Sequence, residues 1–501
     1  MGLRRPISGR LRLAIAVTAT ALILGPLAWM WQASRVPGTY SVTDMGYVDL
    51  GGGSAAGHAL HAGNHASGAG GTSVTSLTEE PGRPADVSVT LRAREQDIRL
   101  PSGRVVDGYT LNGQSPGPLI RATEGERVQV RLVNESVPDG ITLHWHGVDV
   151  PNAEDGVAGV TQDAVEVGEA FTYRFVVRQT GTFWYHSHQV SHEQVRRGLL
   201  GPLLLEPREP EATDVDVTAL AHLYDGVRTV NGRDNVQRVE AQPGEVVRVR
   251  VVNTDNGPMS TWVGGVPFRV TAVDGADLNR PGEVEDTAVL VTAGGRADLQ
   301  LTMPEDGSAV RVHLGGGSPA VVLGSSSYDA PPTPQPRTTL DMLTYGERAP
   351  LAFDPARADR HFEYDIGRRP GFLDGRPGLW WTVNGHLWPD VPMYMVSEGD
   401  VVRMRIENHS GDVHPMHLHG HHAVVLIRDG KPSTGSPWWV DSLNVSDGES
   451  YEIAFVADNP GIWMDHCHNL PHVSEGLVAH LMYAGVTTPF VVGGNADNDP
   501  E

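Results

Sequence analysis

The chain holds a single cysteine among 501 residues, Cys467. An intrachain disulfide is therefore excluded, and disulfide usage says nothing about the redox compartment. Basic charge is also scarce: 38 Lys+Arg stand against 61 Asp+Glu, a formal net charge of -23. No nucleic-acid partner is expected, since phosphate binding draws on a basic patch. A methionine-rich insertion is lacking too. The twelve methionines, Met393, Met395 and Met416 among them, are dispersed and mark no soft-metal landing site. What the chain has in quantity is glycine and proline, 59 and 36 residues, over a length that suggests about three domains.

The one cysteine lies in His-Cys-His-Asn-Leu-Pro-His, residues 466–472. On an extended strand His466 and His468 point one way and Cys467 the other, so one short strand can serve two metal centres. A thiolate joined by two imidazoles, here His472 and the upstream His414, is the donor set of a blue-copper electron-transfer site. His-x-His pairs occur four times, at His144/His146, His186/His188, His417/His419 and His466/His468. A single pair is common in surface, core, zinc or cupin-type settings. Four pairs, two of them inside longer histidine runs, point to a cluster of three metals, with His414, Cys467 and His472 left to make a fourth site.

An internal repeat sets the architecture. Residues 123–134, 242–253 and 397–408 each read as a Gly-acid turn and an alternating strand ending in Asn, and each is preceded by an Asn-Gly turn at 112–113, 231–232 or 384–385. Short alternating strands rich in turn residues predict an all-β chain of sandwich domains. Aligning the copies, His144-Trp145-His146 corresponds to Thr261-Trp262-Val263, and His186-Ser187-His188 to Val312-His313-Leu314. The middle copy is bare of the pairs, His313 is out of phase and read as structural, and this copy is expected to act mainly as a spacer. Ser187 fills the slot of Cys467, so only the third copy should carry a thiolate site.

The segments His-Trp-His-Gly (144–147), His-Ser-His (186–188), His-Pro-Met-His-Leu-His (414–419) and His-Cys-His-x-x-x-His (466–472) appear in this order. In them the chain resembles the multicopper oxidases over about residues 88–486. The resemblance implies three cupredoxin-like β-sandwich domains and four copper ions: a type 1 copper on His414, Cys467 and His472, a type 2 on His144 and His417, and a type 3 pair on His146, His186, His188, His419, His466 and His468. It implies one-electron oxidation of a reductant at the type 1 copper and reduction of dioxygen to water at the other three. Leu477 stands at the axial position, where a leucine in place of methionine raises the potential, and Met482 lies too far along the chain to substitute. Asp155 matches an acidic residue associated with proton delivery, although an Asp before Gly156 is equally a turn former. Val473 replaces the glutamate found in many bacterial members, which leaves Glu475 as a proton-handling candidate.

Arg4, Arg5, Arg10 and Arg12 precede an apolar run from Leu13 to Trp31, which reads as an export signal or, with Trp29 and Trp31 at the interface, a retained anchor. From about Gly51 to Ser76 Gly, Ala, Ser and His dominate, as in a flexible tether. Its His58, His61 and His65 could capture copper, though histidines in such linkers usually have no role. The expected organisation is a signal or anchor over 1–35, a Gly/Ala/His-rich linker over 36–85, domains over 86–210, 211–333 and 334–488, and an acidic tail over 489–501. The location is then extracytoplasmic, membrane-anchored or secreted, and the chain a monomer. Expected reductants are phenols or aromatic amines. The alternative is a cuprous, ferrous or manganous ion, for which His422 and Asp412 are candidates beside the thiolate site. A scaffold without activity would be expected to have lost ligands.

Overall fold

The computed structural model describes residues 8–52, 71–79, 82–209, 212–317, 319–325 and 329–500. Among the described residues strands predominate, as expected, and they pack into three successive two-sheet units. In the first, a sheet in the order His144–His146, Gly181–His186, Leu200–Glu206, Ile120–Thr123 faces one made of Ala170–Val176, Arg127–Asn134, Val87–Glu95 and Tyr109–Leu111. Val128, Val130, Leu132, Trp145, Tyr173 and Leu203 fill the space between them. The middle unit repeats the plan around Val247, Val249, Val251, Val270 and Leu299, and the third around Val402, Met404, Ile406, Trp463 and Tyr394.

The repeated strands occupy one position in all three units. Arg127–Asn134, Val246–Asn253 and Val401–Asn408 each pair in parallel with the strand that opens their unit, because alternating apolar residues can bury only one face. The terminal Asn of each is fully buried and ties the strand end to neighbouring loops. Asn134 donates its amide to Val137 and Val165 carbonyls, Asn253 to Gly257, Val291 and Thr292, and Asn408 to Asp412 and Val445. The Asn-Gly pairs have positive φ at both residues, 57° and 78° at Asn112-Gly113, as type I′ hairpin turns require.

The helix Gly9–Ala33, capped by the Ser8 hydroxyl, has no buried residue and holds an 18-residue stretch of mean hydropathy 1.9. At roughly 1.5 Å per residue it is long enough to cross the hydrocarbon layer, and its full exposure excludes a core helix. The segments flanking the Gly/Ala tract differ from the expected linker. Thr39–Tyr40 pairs with Val492–Gly493, Tyr47–Asp49 with Pro392–Val396 and Thr72–Ser73 with Val486–Thr487, while Val42 and Val74 are buried. These pairings use main-chain groups, to which composition is a poor guide. The tract itself, with His58, His61 and His65, lies outside the described residues. The tail is also fastened: Asn498 Oδ1 accepts from Ala164 N at 2.8 Å, and Asp499 N donates to Gln189 Oε1 at 2.9 Å.

Candidate metal centre

The strand Ile462–Cys467 decides the geometry. Alternation sends Trp463 and Cys467 into the core of the third unit and Ile462 and Met464 into a separate apolar layer on the opposite face. Beyond it, Pro471 stands in the first turn of the short helix Leu470–Ser474, which carries His472, and His414 opens the neighbouring strand His414–Leu418. Cys467 Sγ lies 3.5 Å from His414 Nδ1 and 3.7 Å from His472 Nδ1, and those nitrogens are 3.1 Å apart. Their outer nitrogens are engaged, His414 Nε2 by Ser410 Oγ at 2.8 Å and His472 Nε2 by the Asn469 amide at 3.0 Å. Burial pushes the Cys467 thiol up, and burial with the neighbouring His472 pulls His414 down to about 3. A bound cation is the natural counter-charge for a thiolate held there.

Leu477 is buried beside this trio, its N donating to His472 O at 3.0 Å while its carbonyl accepts from Cys467 N at 3.3 Å. Met416 is the cross-strand partner of Cys467. Trp381 packs against both imidazoles at ring separations of 4.6 and 4.5 Å. Glu475, the proton-handling candidate, is on this side too, accepting from Trp381 Nε1 at 2.8 Å. The structure thus gives it a bond to the tryptophan beside the thiol site.

The eight remaining histidines converge between the first and third units, each at most 1% exposed. Register explains how: His144 lies opposite His186, and His417 opposite His466. At the equivalent crossing of the middle unit Thr261 faces Leu314 and Val263 faces Val312, while His313 stacks on Trp262 at 4.3 Å. His144 Nε2 and His417 Nε2 are 3.4 Å apart, and His419 Nε2 and His466 Nε2 3.1 Å. Donor atoms of His188, His419 and His466 fall within 4.8 Å of one another, as do those of His144, His146 and His186.

Several ring nitrogens of this group are bare, while others are held from outside it. His146 Nδ1, His186 Nε2 and both nitrogens of His188 and His468 are buried without a hydrogen bond. Against this, His144 Nδ1 lies 3.0 Å and His419 Nδ1 3.1 Å from the Asp155 carboxylate, His417 Nδ1 2.8 Å from Asp441 O, His466 Nδ1 3.2 Å from Cys467 O, His186 Nδ1 2.9 Å from Ser187 O and His146 Nε2 3.2 Å from Asp441 Oδ1. Outer acceptors of this kind fix the tautomer and aim the other nitrogen at a metal. Burial drives His146, His186, His188, His417, His419 and His468 well below the usual imidazole range, and His466 to about 3. Unpartnered neutral imidazoles this deep fit a copper cluster.

Asp155, 1% exposed, faces inward to two cluster histidines, which a plain turn aspartate would not do. Other residues had no sequence signal. Asp441 carries both His146 and, from the middle unit, Arg296, whose Nη1 and Nη2 donate to its two oxygens at 2.6 and 2.5 Å. Asp274, also from the middle unit, lies 3.6 Å from Arg296. Gly294, at φ 78°, passes so close that a Cβ there would meet His146 at 2.7 Å. The middle unit is thus part of the wall of the cluster and more than the expected spacer, because its loop between Val291 and Arg296 turns inward. His422 also departs from expectation. It sits 3.2 Å from Asp149 and 3.3 Å from Asp441, the carboxylate that also meets His146; burial opposes its charge, yet these carboxylates lift it to about 10. Asp412 stays near the thiol site, its charge acting on His472.

Family models described as multicopper oxidase match residues 93–210 and 355–485. A multicopper oxidase of Mycobacterium tuberculosis is 29% identical over 87% of this chain and 95% of its own length. A laccase of Botryotinia fuckeliana is 28% identical over 74% of this chain and 77% of its own. Among solved structures, a multi-copper oxidase from Pseudomonas thermotolerans superposes with a TM-score of 0.65 at 28% identity, covering 80% of this chain and all of that one. The clustered imidazoles, the thiol wedged between two of them and these likenesses agree: the chain belongs to the multicopper oxidase family and is a copper-dependent oxidoreductase.

Proposed function

We propose that this chain takes single electrons from a phenol or aromatic amine at His414, Cys467 and His472 and passes them to dioxygen at the eight-histidine cluster. The observation that carries this reading is the position of Cys467, in contact with His414 and His472 and joined by one peptide bond each to His466 and His468. When bound, the four coppers supply one-electron acceptance at the thiolate and four-electron reduction of dioxygen to water at the cluster. His414, Cys467 and His472 would hold the type 1 ion, His144 and His417 the type 2, and His146, His186, His188, His419, His466 and His468 the type 3 pair. His144 Nδ1 and His419 Nδ1 share the Asp155 carboxylate, which makes Asp155 the residue to hold and move a proton beside the cluster. Glu475 positions Trp381, which shields the two type 1 imidazoles from water. Leu477, buried beside His414, Cys467 and His472, would offer a type 1 ion no further donor atom, which favours a high potential.

Units over 86–210, 211–333 and 334–488 serve as the three domains. All eleven donors come from one chain, which supports a monomer. The exposed helix supports an anchored or secreted protein acting outside the cytoplasm. A metal-ion reductant is the second reading, favoured by the Glu475 and Asp412 charges that act on His472 and by likeness to an iron transport multicopper oxidase of Epichloe festucae, 27% identical over 75% of this chain.

Oxygen uptake by the purified protein with a phenol, with cuprous ion and with ferrous ion separates the readings. Cys467→Ser should abolish both the intense blue absorption and uptake with every reductant while the fold persists, as Ser187 does in the equivalent slot. Blue colour surviving in that variant would refute the thiolate assignment.

A further inference from the structure

The sheet face that carries His466 continues away from the cluster into a cavity of about 370 Å³. Its floor is a row across three adjacent strands: Met393 pairs with His480, and His480 pairs with Met464. Strands lie roughly 4.8 Å apart, so two thioethers flank one imidazole within about 10 Å. Met45, from the segment leading out of the N-terminal helix, lines the same cavity. Packing accounts for the methionines, which join Ile462, Val478 and Met482 in an apolar layer. It does not account for His480. Its side chain is 9% exposed and lines the cavity, no hydrogen bond joins it to another described residue, and burial lowers it to about 4.

The geometry points to a binding site for a monovalent soft metal ion, Cu(I), on Met393, Met464, Met45 and His480, staging copper for the cluster. Thioether and neutral imidazole are the ligands that select Cu(I) over harder cations. Position supplies the purpose. Met464 and His466 are two residues apart on one strand and on one face, roughly 6.6 Å along it, and His466 Nε2 is 3.1 Å from His419 Nε2 within the cluster. The cluster histidines are sealed from solvent, so copper must enter through the wall, and this row ends one side chain short of it. Binding changes no oxidation state: the ion arrives and is passed on as Cu(I).

Ag(I), a soft monovalent ion that the enzyme cannot oxidise, is the probe. Calorimetric titration of the full-length protein already loaded with copper should reveal a site that Met393→Leu/Met464→Leu loses, with the blue absorption unchanged throughout. Leu for Met conserves volume, so the layer around the cavity stays packed. X-ray absorption at the silver edge on the unaltered protein should show sulfur neighbours together with nitrogen, a readout that does not depend on the variant folding. Absence of Ag(I) binding, equal binding by the double variant, neighbours that are only nitrogen or oxygen, or bleaching of the blue colour by Ag(I) overturns the proposal. The readouts are independent of turnover, so failure here leaves the reading of the reductant site standing.

Discussion

Replacing Asp441 by Asn keeps the shape of the side chain and removes the charge on which two structures depend. The carboxylate is buried, accepts both Arg296 donors at 2.6 and 2.5 Å and holds His146 Nε2 at 3.2 Å. With an amide there, Arg296 keeps its bonds to the Thr182 and Gly294 carbonyls, but the carboxylate left beside it is Asp274, at 3.6 Å, which burial pushes up toward neutrality. Removing one partner of a buried ion pair costs about 3–5 kcal/mol. The second effect is on the metal. An Asn can donate to His146 Nε2, which would move the ring proton to Nδ1, the atom left bare toward the cluster, and losses of such outer-shell partners cost roughly 10–100-fold in metal affinity. The assay pairs guanidinium unfolding of the copper-free protein with copper content at limiting free copper. The expected result is a lower midpoint and fewer than four coppers, with blue absorption retained because His414, Cys467 and His472 are untouched. Asp274→Asn, which removes a weaker charge, should cost less. A variant that matches the unaltered protein in both midpoint and copper content would refute the reasoning.

Leu477→Met should lower the reduction potential of the blue site by adding a thioether, and slow oxidation of a high-potential phenol more than that of a strongly reducing donor; an unchanged potential in a redox titration, with copper intact, would show that 477 is not axial. Truncation to a chain starting at Asp86 removes the strands over 39–49 and 72–73 and the buried Val42 and Val74, a loss of up to about 3–6 kcal/mol for the two valines, so the melting point should fall. The copper-free protein should weaken as pH drops. Unfolded imidazoles take up a proton near pH 6.5, whereas His414 and His466 are held to about 3. Between those values the unfolded state binds more protons and stability rises with pH, so each imidazole kept neutral costs about 2 kcal/mol at pH 5. Melting of the copper-free form at pH 7.5 and 5 tests the sign.

The side chains that cluster were legible in the chain because local geometry pairs them. Alternation on a strand must send Cys467 and His466 to opposite faces, and a His-x-His pair must put both rings on one face. The three-fold repeat was legible for the same reason, since the alternating strand with its terminal Asn does the same work in every copy. Asp441, Arg296, Gly294, His422 and the Met393, His480, Met464 row were not legible. Their partners lie tens to hundreds of residues away, and only the packing of the three units and the register of non-neighbouring strands brings them together. Asp155 stood between: its place before Gly156 allowed a turn or a cluster role, and only the fold brings it to two histidine nitrogens. The short strands over 39–49 and 72–73 were hidden because main-chain pairing leaves little trace in side chains, so a composition that reads as tether could still be bound at both ends to the third unit. Local chemistry named the side chains that cluster, and long-range register and burial made the wall around them.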